Sequence, residues 1–370
     1  MSAVEEDIVE LYVCRRPTLT DPDTTVVLSD SDSESEKCSS LNSTSSNSKK
    51  EPHIDVTSDD SEDSDTPEII CVTDDVEGSQ HTQLVTKDSG ATGLPPQAQP
   101  ERNATESPPV IALHRRLTVV SWNIDGLSDR HLAARMTAVC RIIRSLNVDI
   151  VFLQEVVPSL NGLVMQHFPD YMVIPGSNEG YFTSTLLRKC SVHYVSHAVL
   201  EFSSTKMERN ITCTEATFND HPLVLMNTHL ESMGYSSEVR KTQLKKCFRH
   251  CVKQPQAKTV IFGGDMNLRD HEVDSVGGLP LGIEDVWEVC GRSPSQCYTW
   301  DMTCNDNLDW TARGAKPRCR FDRIYVRLSQ PPYLKPGTFK LLGQERTEFL
   351  QCYPSDHWGL FCEFHVVQDG

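Results

Sequence analysis

The stretch Val260-Ile261-Phe262-Gly263-Gly264-Asp265-Met266-Asn267 opens on three large apolar residues, turns on two glycines and closes on a carboxylate and an amide. A short apolar run of this kind reads as a buried strand. Glycine at its end lets the backbone turn sharply and brings Asp265 to the mouth of a site. Immediately upstream, Ser237–Lys253 reads as a long helix, preceded by strands at Asn210–Phe218 and Pro222–His229. The same order occurs earlier in the chain. Leu117–Ser121 is an apolar strand. Asp129–Asn147 carries Leu132, Met136, Val139, Cys140, Ile143 and Leu146 at helical spacing. Asp149–Glu155 is a second buried strand that ends in Glu155. A shorter helix is predicted at Ser159–Phe168. Further strands are predicted at Tyr171–Ile174, Tyr181–Arg188, Val192–Phe202, Phe321–Val326, Phe339–Gln344 and Trp358–Val367. Helices alternate with paired strands, so the fold class is α/β with mixed sheets. Two rounds of strand, helix and strand, each closing on a carboxylate, predict two sheets packed face to face with helices outside.

Charge separates this part from the rest of the chain. Residues 1–110 hold 24 of the 52 acidic and 7 of the 35 basic residues, a net of −17, which leaves 28 of each sign for the remainder. The acidic pI of about 5.2 therefore says nothing against a nucleic-acid partner for the folded part. Residues 1–110 are rich in Ser, Thr, Asp, Glu and Pro and poor in aromatics. They cannot bury enough apolar area to offset the entropy of ordering, so a disordered acidic tail is expected there, followed by a single catalytic domain over 111–370. Within the tail, Val26-Val27-Leu28 runs into Ser29-Asp30-Ser31-Asp32, and Ile69-Ile70-Cys71-Val72 is followed by Asp74-Asp75. A β-branched run can add to another protein's sheet edge while adjoining acids meet a basic rim. Both islands resemble SUMO-interacting motifs, and SUMO is an expected partner through Val26–Leu28 and Ile69–Val72. A third island, Ile8–Leu11, is read as chance. The 14 cysteines lack disulfide-like spacing, Met1–Glu10 lacks the apolar core of a secretory signal, and no run approaches a membrane span. Reduced thiols, no membrane partner and a monomeric protein are expected. Cys247 and Cys251 share a helix face but have no further ligand pattern around them, so they read as ordinary thiols.

Four short motifs carry the chemistry: Ser121-Trp122-Asn123, Leu153-Gln154-Glu155, Gly264-Asp265-Met266-Asn267 and Ser355-Asp356-His357. Each adjoins a predicted strand. Mg²⁺ prefers oxygen ligands, keeps several waters and takes one or two protein carboxylates plus substrate phosphate. Glu155 suits that role. Asn267 can present its amide to a phosphate oxygen. His357 can donate to a non-bridging oxygen and stabilise charge in the transition state. Asn123 supplies a neutral polar group where a buried charge would be costly, and it can orient metal-bound phosphate or water. Any one of these motifs alone is an ordinary loop or cap. Four in this order, each at a strand end, point to metal-assisted hydrolysis of a phosphate ester.

With Asn227-Thr228-His229-Leu230 and Arg320-Phe321-Asp322-Arg323-Ile324, the four motifs resemble the endonuclease/exonuclease/phosphatase superfamily over about residues 115–368. The resemblance implies a DNase I-like four-layer α/β sandwich, two mixed sheets inside and helices outside. It implies Glu155 as the Mg²⁺ ligand, with Mn²⁺ able to substitute, and Asp265 as the group that activates water. Asn123 and Asn267 would position phosphate, with Asn123 also near the metal. His357 and His229 would face the phosphoryl oxygens. Asp322 would orient His357, and Asp356 would hold metal-bound water.

The wording around the motifs resembles the tyrosyl-DNA phosphodiesterases within the superfamily. It includes Leu117 to Leu127, Phe152-Leu153-Gln154-Glu155-Val156, Asn227 to Ser232, Phe262 to Asp270, and Tyr298-Thr299-Trp300-Asp301. This implies hydrolysis of the 5′-phosphotyrosyl bond between a trapped topoisomerase and a DNA end, leaving a 5′-phosphate, in the nucleus and also in cytoplasm. A single-stranded DNA end with its tyrosyl or peptide adduct would be the ligand. Aromatics that stack bases and arginines that meet the backbone suit such a strand. The candidates are Tyr181, Arg209, Ser232, Arg269, Trp300, Leu308 and Phe321, with Phe321 better suited to the core and Trp300 and Arg269 expected near loops. Many relatives carry an N-terminal ubiquitin-binding helical module, but residues 1–110 show no three-helix pattern. The alternatives are another phosphodiesterase of the superfamily, an abasic endonuclease or phosphoinositide phosphatase, or a SUMO-binding scaffold. Intact candidates at every motif argue against the scaffold.

Overall fold

A computed structural model describes residues 114–309 and 314–367. The acidic segment and both apolar islands, Val26–Leu28 and Ile69–Val72, lie outside the described residues.

The described strands form two six-stranded sheets and one small ribbon. In the first sheet, β1 (Arg116–Asn123) pairs parallel with β2 (Ile150–Val156) through the crossover helix α1 (Leu132–Ser145). After α2 (Asn161–His167), β3 (Tyr171–Pro175) and β4 (Phe182–Arg188) continue that sheet antiparallel beyond β2. The second sheet begins with β5 (Val192–Glu201), β6 (Asn210–Phe218) and β7 (His221–His229) as an antiparallel meander. Helix α3 (Ser237–Lys253) then crosses over to β8 (Thr259–Asp265), parallel to β7. After α4 (Asp270–Ser275) come β9 (Ile283–Asp285), α5 (Val286–Val289) and the short strands β10 (Trp300–Asp301) and β11 (Arg318–Cys319), which pair with each other. Strand β12 (Asp322–Arg327) sits between β8 and β9. Finally β13 (Leu334–Leu342) and β14 (Gly359–Val366) return to the first sheet on the free side of β1. Strand orders are β13-β14-β1-β2-β4-β3 and β5-β6-β7-β8-β12-β9.

Alternation along the strands builds the layers. Val119, Phe152, Leu360 and Cys362 of the first sheet pack against Phe218, Leu225, Ile261 and Ile324 of the second. The opposite residues of β1 and β2, Val120, Trp122, Val151 and Leu153, pack under Met136, Val139 and Ile143 of α1. Phe262 and Tyr325 face outward to Leu244, Cys247, Phe248 and Cys251 of α3. The result is the four-layer α/β sandwich expected from the sequence. Cys247 and Cys251 are core residues, and every cysteine among the described residues is free. Among those residues no helix is long and apolar enough to cross a membrane.

Sequence and structure differ in instructive places. Strand β13 starts five residues before the predicted Phe339, because Pro336 and Gly337 break the apolar pattern. As the edge of its sheet, β13 tolerates the proline, and the register shifts at Pro336/Thr338. Trp300, expected near a loop, lies instead in strand β10, 5% exposed, packed on Phe321 and clustered with Met302.

Candidate active site

Register decides which side chains meet. On β8, Asp265 is flanked in register by His229 of β7 on one side and Asp322 of β12 on the other. Gly264 precedes it at φ +146°, and a Cβ there would fall 1.9 Å from the Thr228 carbonyl oxygen. Only glycine lets β7 and β8 close to this distance. From the other sheet, β1 ends at Asn123, so the ends of β1 and β8 face each other across the sandwich. Asn123 Nδ2 donates to Asp265 Oδ2 at 2.9 Å. His229 Nε2 lies 3.3 Å and His357 Nε2 3.8 Å from the same oxygen. The backbone N–H of Asn267 donates to Oδ1 at 3.0 Å. Behind His357, Asp322 Oδ2 is 2.8 Å from Nδ1.

This packing sets the protonation states. Burial pushes the Asp265 carboxyl up to about 6, with the neighbouring Asp322 adding to the rise against the pull of His357 and Asn123. Burial opposes a charge on His357, but Asp322, Asp356 and Asp265 outweigh it and hold the imidazole well above its ordinary 6.5. The relay therefore favours a carboxylate able to take a proton near neutrality beside a positively charged imidazole aimed at the same point.

The sequence candidates fall into three groups. Asn123, His229, Asp265, Asn267, Asp322 and His357 converge. Asn267 also donates its amide to the Leu230 carbonyl at 3.2 Å. A second strip leads away from His229. Arg209 reaches His229 Nδ1 at 3.1 Å and Ser232 Oγ at 3.2 Å, and its guanidinium lies 4.8 Å over the Tyr181 ring. A third cluster lies past His357. Phe321 packs between Trp300 and His357, with Arg269 over its ring at 5.4 Å and Leu308 against the cluster.

Two candidates also make protein contacts beyond the roles the resemblance implies. Asp356, assigned a metal-bound water from the resemblance, accepts the Trp300 indole N–H at 3.2 Å and adds charge beside His357. Asn123 is also a candidate near the metal. Its Oδ1, the atom a cation would use, accepts the Asp125 backbone N–H at 3.0 Å, so it presents its amide donor to Asp265.

Glu155 is half-buried at φ +56°, where the β2–β4 register slips between Leu153 and Val156. Such a bulge re-aims a side chain at the cost of local strain. Ligand atoms of Asp265, Asp322 and His357 all lie within 4.8 Å of one another, and Glu155 is outside that trio. Asp322 Oδ1 is buried with no hydrogen-bond partner. Carboxylate oxygens in excess of their donors fit a hard divalent cation.

Sequence reasoning missed the groups that hold these residues in place. Ser355 Oγ donates to the Asn123 carbonyl at 2.6 Å and accepts the His357 N–H at 3.1 Å, tying the first and last motifs. Gln154 and Asn227 join the two sheets at 2.9 Å inside the core. Arg135 is buried against Asp125 at 3.3 Å. Arg240, wholly buried, pairs with Glu272 at 2.5 Å. A detectable signal existed for the arginines. Each stands in the apolar stripe of its helix, Arg135 with Val139 and Arg240 with Leu244, Cys247 and Cys251.

The fold, with a carboxylate relay at the facing ends of β1 and β8, defines a class of phosphate-ester hydrolase. The family described as "Endonuclease/Exonuclease/phosphatase family" matches residues 120–357, and the chain belongs to that family. Within it, the similarity runs to one kind of member. Tyrosyl-DNA phosphodiesterase 2 of Homo sapiens is 41% identical over 254 residues, covering 68% of this chain and 68% of that protein. The crystal structure of D. rerio TDP2 complexed with single strand DNA product superposes with a TM-score of 0.66 at 38% identity, covering 68% of this chain and 99% of that one. TDP2 from C. elegans gives 0.63 at 34% identity, over 68% and 75%.

Proposed function

We propose that this chain is a Mg²⁺-dependent DNA-repair hydrolase that cleaves the 5′-phosphotyrosyl bond joining a topoisomerase-derived tyrosine to a DNA end. The observation that carries the reading is the convergence of Asn123, His229 and His357 on one oxygen of a buried Asp265. The similarity to a relative solved with single-strand DNA product supports the substrate class.

The residues divide the work. Asp265 takes a proton from the attacking water, a role suited to a carboxyl held near 6. Asn123 fixes that carboxylate through Nδ2. His357, held by Asp322, donates from Nε2 to a non-bridging phosphoryl oxygen as charge builds there. His229, anchored by Arg209, donates on the other side. Glu155 would hold the cation, with Asp322 Oδ1 an orphaned acceptor within the relay. When bound, Mg²⁺ would supply charge neutralisation on the phosphoryl oxygens. Water adds to phosphorus, the P–O(tyrosine) bond breaks, and the phenolate leaves. A phenol of pKa ~10 leaves without a strong general acid.

A panel of 5′-phosphotyrosyl single-stranded DNA, abasic duplex and a phosphoinositide, offered side by side with Mg²⁺, tests this. The expected result is a kcat/KM at least about 10²-fold higher on the tyrosyl strand, abolished by chelation, for a discrimination of ~3 kcal/mol in transition-state binding. Equal or faster turnover of either competitor would remove the reading.

A further inference from the structure

We infer that Tyr235 is a stacking platform for a base of the bound single strand, an inference that rests on the proposed substrate and extends its binding strip by one aromatic. Tyr235 is 63% exposed in the turn Gly234–Ser236 that links β7 to α3. Single exposed apolar residues are ordinary. The rigidity of the turn beneath Tyr235 sets it apart. Met233 is buried at φ +76°, and its carbonyl accepts from Arg240 at 2.8 Å and from the Ser236 N–H at 3.3 Å. Ser237 Oγ donates to Glu272 at 2.6 Å, so both flanks of the turn are tied to the fully buried Arg240–Glu272 pair. An aromatic held out to solvent on such a base loses little entropy when a ring stacks on it.

Its position fits the strand. Ser232, three residues earlier, accepts from Arg209, which reaches His229 and covers Tyr181. Three residues span at most ~11 Å, so Tyr235 stands within a short reach of that strip. Every base has a π-face, so a single tyrosine there adds affinity without sequence preference. It would serve nucleotides beyond those held by Arg209 and Ser232.

The test compares wild type, Tyr235→Ala and Tyr235→Phe on 5′-phosphotyrosyl strands of two and of eight or more nucleotides, with thermal midpoints recorded for each. Tyr235→Ala should raise KM about fivefold on the long strand with kcat unchanged, and leave the two-nucleotide substrate unaffected. Tyr235→Phe should match wild type, because stacking needs the ring and not the hydroxyl. The same fivefold change should appear in binding of 5′-phosphorylated strands without cleavage. If wild type cleaves the tyrosyl strand but Tyr235→Ala shows no length-dependent loss, this inference is overturned and the proposed function stands. A Tyr235→Phe variant that loses as much as the alanine variant overturns the inference in the same way. A wild type that cleaves no tyrosyl strand overturns both.

Discussion

Replacing Asp265 with asparagine is expected to lower kcat on a 5′-phosphotyrosyl strand by at least about 10³-fold, within the range a positioned general base supplies. The fold should survive, and the physical reason lies in the site itself. Asparagine keeps the shape and can still accept from Asn123 or from the Asn267 N–H, the two donors that fix the carboxylate. The sign of the stability change follows from the titration. The folded Asp265 carboxyl is raised from 3.8 to about 6, so the native state holds this proton more tightly than the unfolded chain. Stability from this group therefore falls as pH rises from 3.8 to about 6, and the deficit is complete above that. An uncharged residue removes the deficit, so the thermal midpoint of Asp265→Asn at pH 7 should equal or exceed wild type. A variant that keeps a tenth of the activity would take Asp265 out of the role of base, and one that unfolds would contradict the expected gain in stability.

The largest loss of stability is expected at the buried pair behind the turn. Arg240→Met or Glu272→Gln should each cost about 3–5 kcal/mol in a denaturant titration, because each leaves an uncompensated charge or donor in the interior. Arg240 serves several partners at once. It pairs with Glu272 at 2.5 Å and donates to the Glu231 and Met233 carbonyls at 2.9 and 2.8 Å. Glu272 also accepts the Arg269 backbone N–H at 2.8 Å. The double variant should lose less than the sum of the two, since both ends of one interaction are removed. The pH dependence has a definite sign. Burial alone would raise the Glu272 carboxyl, but its bonds to Arg240 and Ser237 prevail and hold it below the ordinary 4.5. Its stabilisation is then complete above 4.5 and lost as pH falls through the folded value, so wild type and Glu272→Gln should converge in acid. A cost below about 1 kcal/mol would make the pair an incidental contact. Because the pair braces both Arg269 and the turn carrying Tyr235, Arg240→Met should also raise KM on long strands.

The parts of this architecture that are legible in the sequence are those written as local pattern. The helix Ser237–Lys253 is readable to the residue, because its stripe of Leu244, Cys247 and Cys251 has one period throughout. Asp265 and Glu155 stand out as carboxylates closing apolar runs. The two-residue strands β10 and β11 carry no period, which is why Trp300 reads as lying near a loop. The bulge at Glu155 arises from pairing with β4, and no feature of the six residues before it announces the slip. Side-chain roles set by long-range partners are hidden too. Asp356 is turned toward Trp300, 56 positions away, and Asn123 Nδ2 toward Asp265, 142 positions away. Ser355 bridges 232 positions to Asn123, which only the closure of β14 beside β1 brings about.

The central claim is that water, activated at Asp265, attacks phosphorus and expels the tyrosyl oxygen. Hydrolysis of a 5′-phosphotyrosyl strand in ¹⁸O-water tests it most directly, with the position of the label read by mass spectrometry. One ¹⁸O is expected in the 5′-phosphate of the DNA, none in the released tyrosine, and no labelled product from Asp265→Asn in the same time. Label in the tyrosine phenol, or labelled phosphate formed at the wild-type rate by Asp265→Asn, would contradict it.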